Sequence, residues 1–248
     1  MPRYKFTIEY DGSGYSGWQR QGNGPSVQQA LEEALFALTG EPTAVHGAGR
    51  TDAGVHASGQ VAHIDLIRDW NAWRLREAVN AHLVGRHVAV LEVERAGDDF
   101  DARHSAVRRH YVYRVVNRRA PLTFALGRAW LIKRALDSGA MREAASMLIG
   151  RHDFSTFRDS QCQANSPLRT LDRFDVAREE QRIEFILSAR SFLHRQVRSM
   201  VGSLVEVGSG KWRPTDLRAA LEAADRSRCG PVAPACGLYL TRVDYDGA

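Results

Sequence analysis

The chain has 248 residues, enough for one large α/β domain or two smaller ones. Apolar residues make up 44% and charged residues 25%, ordinary globular usage. No apolar run reaches the roughly eighteen residues that a spanning helix needs, and Cys162, Cys229 and Cys236, odd in number and irregular in spacing, form neither a disulfide framework nor a CxxC metal pair. The net charge is +5 and the pI about 9.4, and of 34 basic residues only Lys5, Lys133 and Lys211 are lysine. Arginine's planar fork suits phosphate and stacks on bases, so a polyanionic partner is one reading of this bias and GC-rich coding is the other. Met1-Pro2-Arg3-Tyr4-Lys5 carries no apolar signal core, which makes a cytoplasmic location the expectation.

Arg3 to Tyr10 reads as a strand with Tyr4, Phe6, Ile8 and Tyr10 on one face. A Gly-rich turn follows over residues 11–18. The spacing of Val27, Ala30, Leu31, Ala34, Leu35 and Leu38 predicts a helix from about Ser26 to Thr39, with Ser26 and Gln29 as a capping box and Gly40 as its stop. Gln60 to Leu66 reads as a strand. Asn71 to Leu83 reads as a helix with Trp73, Leu75, Ala78, Val79 and Leu83 apolar, and His87 to Glu94 as another strand. The polar stretch Asp98 to Ser105 is the candidate junction, dividing the chain into 1–102 and 103–248. Beyond it come a strand over His110–Asn117, a helix over Ser138–Ile149 stopped by Gly150, and a hairpin of Arg173–Ala177 with Arg182–Ala189. A helix over Leu193–Val207, a short helix over Thr215–Ala224 and a closing strand over Gly237–Tyr245 complete the chain. Strands and helices mix without regular βαβ alternation. That favours α+β, two α/β-type halves with largely antiparallel sheets flanked by helices.

Three clusters carry chemistry. The first is residues 46–56, His-Gly-Ala-Gly-Arg-Thr-Asp-Ala-Gly-Val-His. Its three glycines disfavour a long helix or a continuous strand and permit close backbone approach to a ligand. Asp52 is the only carboxylate between Glu41 and Asp65, so carboxylate chemistry in this loop falls to it. Arg50, two residues away, is placed to hold Asp52 ionised; the structural alternative is an Asx-turn aspartate bonded to backbone N–H groups. No Gly-Lys-Ser/Thr follows, so this is not a P-loop, and the spacing of His46, Asp52, His56 and His63 fits no familiar metal set. The second cluster, residues 103–114, mixes arginines with Tyr111 and Tyr113 on one strand face, able to hold phosphate and stack on an unstacked base or simply to be core and solvated faces. The third, residues 190–198, sets Phe192 and Leu193 as apolar walls, and His194 and Arg198 as polar groups, near a helix N-terminus that attracts anions. Its alternative is a surface helix whose arginines confer solubility.

These segments, in order, resemble the tRNA pseudouridine synthase A family. The matching stretches are Glu9-Tyr10-Asp11-Gly12 with Gly17-Trp18-Gln19-Arg20-Gln21, Gly49 to Ala57, Phe100 to Arg103 with Tyr111-Val112-Tyr113-Arg114, Gly150 to Phe154, Phe192 to Gly202, and Gly237 to Leu240. The resemblance implies isomerisation of uridine to pseudouridine at positions 38, 39 and 40 of tRNA, in the anticodon stem-loop, without metal or organic cofactor. It places the nucleophile on Asp52, the active-site arginine on Arg50 and the base-stacking tyrosine on Tyr111. It further implies the pseudouridine synthase fold with an active-site cleft between the halves, and a homodimer with RNA lying across both subunits. Substrate contacts are expected at Tyr111, Phe192, Leu193, His194 and Arg198. His104, His110 and the segment 81–86 depart from the family's usual residues, as does Cys229-Gly230-Pro231 near the end; none of these touches Asp52, Arg50 or Tyr111. A catalytically inactive structured-RNA-binding relative is the alternative, and an RNA-binding surface alone would have no use for a carboxylate that repels phosphate. A metal-dependent nuclease built on His46, His56 and Asp52 lacks a second acidic ligand nearby.

Overall fold

The computed structural model describes residues 1–22 and 24–246. Two compact units divide the chain, one of Met1–Val107 with Tyr239–Ala248 and one of Arg108–Leu238. The closing strand therefore packs with the N-terminal unit, whereas the sequence reading kept it in the C-terminal half. Alternation tells that a segment is a strand but not which sheet takes it.

In the first unit the chain passes through β1 (Arg3–Tyr10), α1 (Val27–Thr39), β2 (His46–Gly47), β3 (His56–Asp65), α2 (Ala72–Leu83) and β4 (Val88–Ala96). Period-two alternation turns Tyr4, Phe6, Ile8 and Tyr10 of β1 into the core. α1 starts where Ser26 Oγ accepts the Gln29 N–H at 3.2 Å and stops at Gly40, φ +75°. Only half of the expected capping box forms, because the Gln29 amide turns along the helix to Glu33 at 2.8 Å. α2 buries Leu75, Val79 and Leu83 on one stripe, while Trp73, expected among them, is 63% exposed: at the first turn it lies off the i, i+4, i+8 line. β3 begins at His56, four residues before the expected start, and carries Gly59 inside it. A side chain at Gly59 would overlap the Thr241 backbone, so the glycine marks a close strand approach and not a break.

The second unit contains β5 (Ala106–Asn117), β6 (Trp130–Ile132), α3 (Ser138–Ser146), β7 (Gly150–Asp153), β8 (Leu168–Glu179), β9 (Arg182–Ala189), α4 (Gln196–Gly208) and α5 (Pro214–Glu222), and β10 (Leu238–Tyr245) returns to the first unit. The first unit's sheet runs β4-β1-β3-β10 with β2 also on β3, and the second's runs β7-β8-β9-β5-β6. All pairs within the units are antiparallel except β10 with β3 and β5 with β6. This is the expected α+β class. α1 and α2 pack together beside the first sheet, and α3 packs on β8 and α4 in the second unit. Gly150 stops no helix: α3 ends at Ser146, and Gly150, φ +107°, opens β7. α4 starts at Gln196, three residues later than expected, because residues 190–195 form a turn instead. No helix among the described residues is long and apolar enough to cross a membrane.

Candidate active site

Residues 48–55 join β2 to β3 and follow the edge of β3 without forming strand, so their backbone groups need other partners. The Ala48 N–H donates to Val61 O at 2.7 Å, and the fully buried Gln60 amide donates to Gly49 O at 2.8 Å. Thr51 is gripped twice: its carbonyl accepts the Trp18 N–H at 3.1 Å, and its hydroxyl lies 2.9 Å from the Tyr10 hydroxyl. Burial drives the Tyr10 phenol up to about 12, against the pull of its bonds to Thr51 and Gln60, so it stays a neutral partner at any working pH. Asp52 O accepts the Val55 N–H at 3.1 Å, and Gly54, φ +76°, donates to Tyr15 O at 3.3 Å. Every residue from Ala48 to Val55 except Arg50 and Ala53 is thus tied through a hydrogen bond to the β3 edge, to the turn after β1, or within the loop itself.

The glycines of that turn let it lie against the loop. A methyl group on Gly12 would overlap the Val55 carbonyl. One on Gly17, φ +108°, would sit 2.6 Å from Thr51 O and 3.2 Å from the Asp52 carbonyl carbon. The half-buried Asp52 is held by this clamp, while Arg50 is exposed.

The histidines around the loop serve the fold. Buried His56 accepts the Gly12 N–H on Nδ1 at 3.1 Å and stacks on Tyr239 at 4.7 Å. The same Nδ1 lies 3.2 Å from Asp11 Oδ1. His46 stacks on His63 at 4.8 Å, and His63 Nδ1 accepts the Ala102 N–H at 3.0 Å. Burial, aided by the charges of His46 and Arg3, holds His63 below its ordinary value.

In the second unit one face of β5 buries Arg109, Tyr111, Tyr113 and Val115 in succession. Tyr113 is wholly enclosed; its hydroxyl donates to Pro234 O at 2.8 Å, and burial pushes its pKa far up. Tyr111 keeps a little exposure and meets the edge of Phe192 at 5.2 Å and 87°, a favourable aromatic geometry. Arg109 donates to Arg190 O at 2.7 Å, which ties β5 to the turn that carries Phe192. Phe192 and His194 are half-buried, but Leu193 is buried, its N–H donating to Gln196 Oε1 at 2.8 Å.

Asp159 organises the same turn. Its N–H donates to His194 O at 3.1 Å, its Oδ2 accepts from Arg195 at 3.0 Å, and its Oδ1 lies 3.6 Å from His194 Nδ1. Arg195 there adopts φ +58°, a left-handed conformation that a non-glycine residue holds only when its surroundings impose it. Burial opposes the Asp159 charge, but the Gln161 N–H and the charges of Arg195, His194 and Arg226 outweigh it and keep the carboxyl below its usual range. Arg198, in the first turn of α4, donates from Nε to Ala233 O at 2.8 Å.

Of the expected site residues, Asp52 and Arg50 share one loop of the first unit. Tyr111 and Phe192 are in contact in the second, with Leu193, His194 and Arg198 following on the same segment. Asp159 was not expected as part of this arrangement, and Arg109 lay within the expected 103–114 cluster without being singled out. Arg109 was legible by parity, two residues before Tyr111 on a strand; no local pattern marks Asp159.

A fixed carboxylate in one unit and an aromatic shelf with a buried guanidinium in the other are groups for attacking or deprotonating a sugar or base and for stacking on it. Comparison with known proteins gives the family. The family model described as tRNA pseudouridine synthase matches residues 7–105 and 144–246. A tRNA pseudouridine synthase A of Methylocella silvestris is 64% identical over 248 residues, covering 100% of both chains. Those of Beijerinckia indica and Rhizobium meliloti are 65% and 60% identical, covering 99% of this chain and 94% and 100% of theirs. The matches span the Asp52 loop and the Phe192 turn alike, and the chain belongs to the tRNA pseudouridine synthase family.

Proposed function

We propose that this isomerase converts uridine to pseudouridine at positions 38, 39 and 40 of tRNA, in the anticodon stem and loop, with Asp52 as its nucleophile. The observation that carries the reading is the clamp on residues 48–55, which holds the loop with the one carboxylate through backbone and side-chain hydrogen bonds. The reaction breaks N1–C1′, forms C5–C1′ and moves the C5 hydrogen to solvent while N1 takes up a proton. It neither oxidises nor reduces, so a carboxylate and a dry pocket suffice and no metal or organic cofactor is required. A uridine in a stem is out of reach until it flips. Tyr111 stacks on the detached uracil while Phe192 and Leu193 keep water away. His194 and Arg198 hold backbone phosphates near the start of α4, and Arg50 fills the place that the flipped nucleotide leaves. The enzyme works in the cytoplasm as a homodimer.

The test is tritium release from tRNA labelled with [5-³H]uridine. Wild type should release tritium without added metal, and Asp52→Asn should release none while binding tRNA as tightly as wild type in filter binding. Release by Asp52→Asn would move the nucleophile elsewhere. Release that needs metal, or that comes with strand cleavage, would overturn the reaction itself.

A further inference from the structure

Between α5 and β10 the chain crosses α4 as a strap, residues 229–237, and the crossing is tight. A side chain at Gly202 of α4 would overlap the Pro231 carbonyl, and one at Gly230 would start 2.8 Å from the Ser203 Cα. The Gly230 N–H donates to Ser203 Oγ at 3.0 Å. Farther along, Gly237 lies against the Tyr113 ring, where an added carbon would sit 2.6 Å from Cζ. The strap, α4 and β5 all belong to the second unit. Pro231 and Pro234 have no N–H to donate, so the strap depends on bonds brought to it. Two side chains bring them at neighbouring residues. Arg198 of α4 donates from Nε to Ala233 O at 2.8 Å, and its own carbonyl accepts the Ala233 N–H at 3.0 Å. The next carbonyl, that of Pro234, accepts the Tyr113 hydroxyl at 2.8 Å. Phenylalanine would fill the Tyr113 site without an O–H that must be satisfied in the core, so the hydroxyl is there for its bond. Burial keeps that phenol protonated and a donor. The Arg198 bond matters in its turn because a guanidinium is planar: a fixed Nε sets the plane in which the rest of the group points.

We infer that Tyr113 is a positioning residue of the isomerase: its hydroxyl anchors the strap at Pro234, and the strap, through the Ala233 carbonyl, holds the Arg198 guanidinium in its working orientation. The inference rests on the reading above that Arg198 holds an RNA phosphate, and adds what aims it. Tyr113 is wholly enclosed and touches no substrate; it acts through the strap alone.

A double-mutant cycle on the full chain tests it, with tRNA affinity from filter binding over a salt series and turnover from tritium release at saturating tRNA. Arg198→Ala should weaken tRNA binding by about tenfold or more, the loss of a charge-assisted contact, and reduce the salt slope by about one. Tyr113→Phe should weaken binding by about two- to tenfold, the worth of one neutral hydrogen bond, with the loss falling on affinity and not on turnover. In the Arg198→Ala background Tyr113→Phe should cost nothing further, whereas a general loss of stability would add in full. Gly230→Ala, which lifts the strap from its other end, should repeat the pattern and serves if Tyr113→Phe folds poorly. Wild-type affinity and salt slope in Tyr113→Phe, or a loss that adds in full to that of Arg198→Ala, would overturn the inference and leave the phosphate reading standing. Coupled losses confined to turnover would overturn the phosphate reading and keep Tyr113 as the residue that aims Arg198. Wild-type binding and turnover in Arg198→Ala would overturn both.

Discussion

If the loop carrying Asp52 owes its position to the turn after β1, displacing the turn should damage catalysis more than binding. Gly17→Ala is the sharpest such perturbation. Its methyl carbon would start 2.6 Å from Thr51 O, 3.2 Å from the Asp52 carbonyl carbon and 3.3 Å from the Ala53 nitrogen, where side-chain carbons essentially never come within 3.0 Å. All three atoms are backbone, so no rotamer relieves the overlap. The loop must retreat by about 0.4–0.8 Å for ordinary contact to return, close to the ~1 Å misplacement that lowers rates about a hundredfold. The expected loss in kcat is therefore about ten- to a hundredfold with tRNA affinity unchanged. The positive φ of +108° at Gly17 adds strain of about 1–3 kcal/mol, and with overpacking the fold should lose about 2–4 kcal/mol, a fall in Tm of roughly 4–16 °C for a domain of this size. Gly14→Ala is the control. It lies three residues away in the same turn with nothing within 4 Å of the added carbon, and should behave as wild type. Single-turnover tritium release and thermal unfolding on the same preparations give both numbers. A Gly17→Ala enzyme with lowered Tm but wild-type kcat would refute the claim that the turn positions Asp52.

The second unit supports two further expectations. Tyr111→Phe keeps the ring and its edge contact with Phe192 and should retain stacking, whereas Tyr111→Ala should lose about 1–3 kcal/mol of base stacking, read as a five- to hundredfold loss in activity under subsaturating tRNA; equal losses in both variants would assign the role to the hydroxyl instead. Asp159 has a depressed pKa, so the stability it contributes is present above the unfolded carboxylate value near ~3.9 and disappears as pH falls through its lower folded value. Asp159→Asn should consequently be less stable than wild type at neutral pH by about 1–3 kcal/mol, with the gap closing in acid; a difference that stays constant from pH 7 down to pH 3 would show that its charge is not what holds the turn.

What the sequence could and could not show follows from how far each signal reaches. Local periodicity was enough for β1, α1 and the β8–β9 hairpin, since alternation over four aromatic and aliphatic residues or a six-position stripe admits one solution. The Asp52 loop was legible as a site because glycine, arginine and aspartate crowd together there, but its clamp was not. The partners are Gly12, Gly17, Tyr10 and Gln60, and only β1 lying antiparallel to β3 brings them to the loop. Gly150 reads as a helix stop on intrinsic propensity, yet it opens β7, and the strand read from Gln60 starts four residues earlier because Gly59 sits inside β3 against the Thr241 backbone. The start of α4 failed for a related reason: Phe192 and Leu193 satisfy a helical stripe, while Asp159, more than thirty residues upstream, draws Arg195 into a left-handed turn that the stripe cannot encode. Arg109 differs from all of these. Strand parity alone put it on the face of Tyr111 and Tyr113, and hydrophobicity argued for sending it outward. A buried arginine beside an aromatic shelf satisfies parity at the expense of desolvating a charge. A chain keeps such a residue where the guanidinium has a partner to hold, and here it holds the carbonyl of Arg190, at the start of the turn on which Phe192 depends.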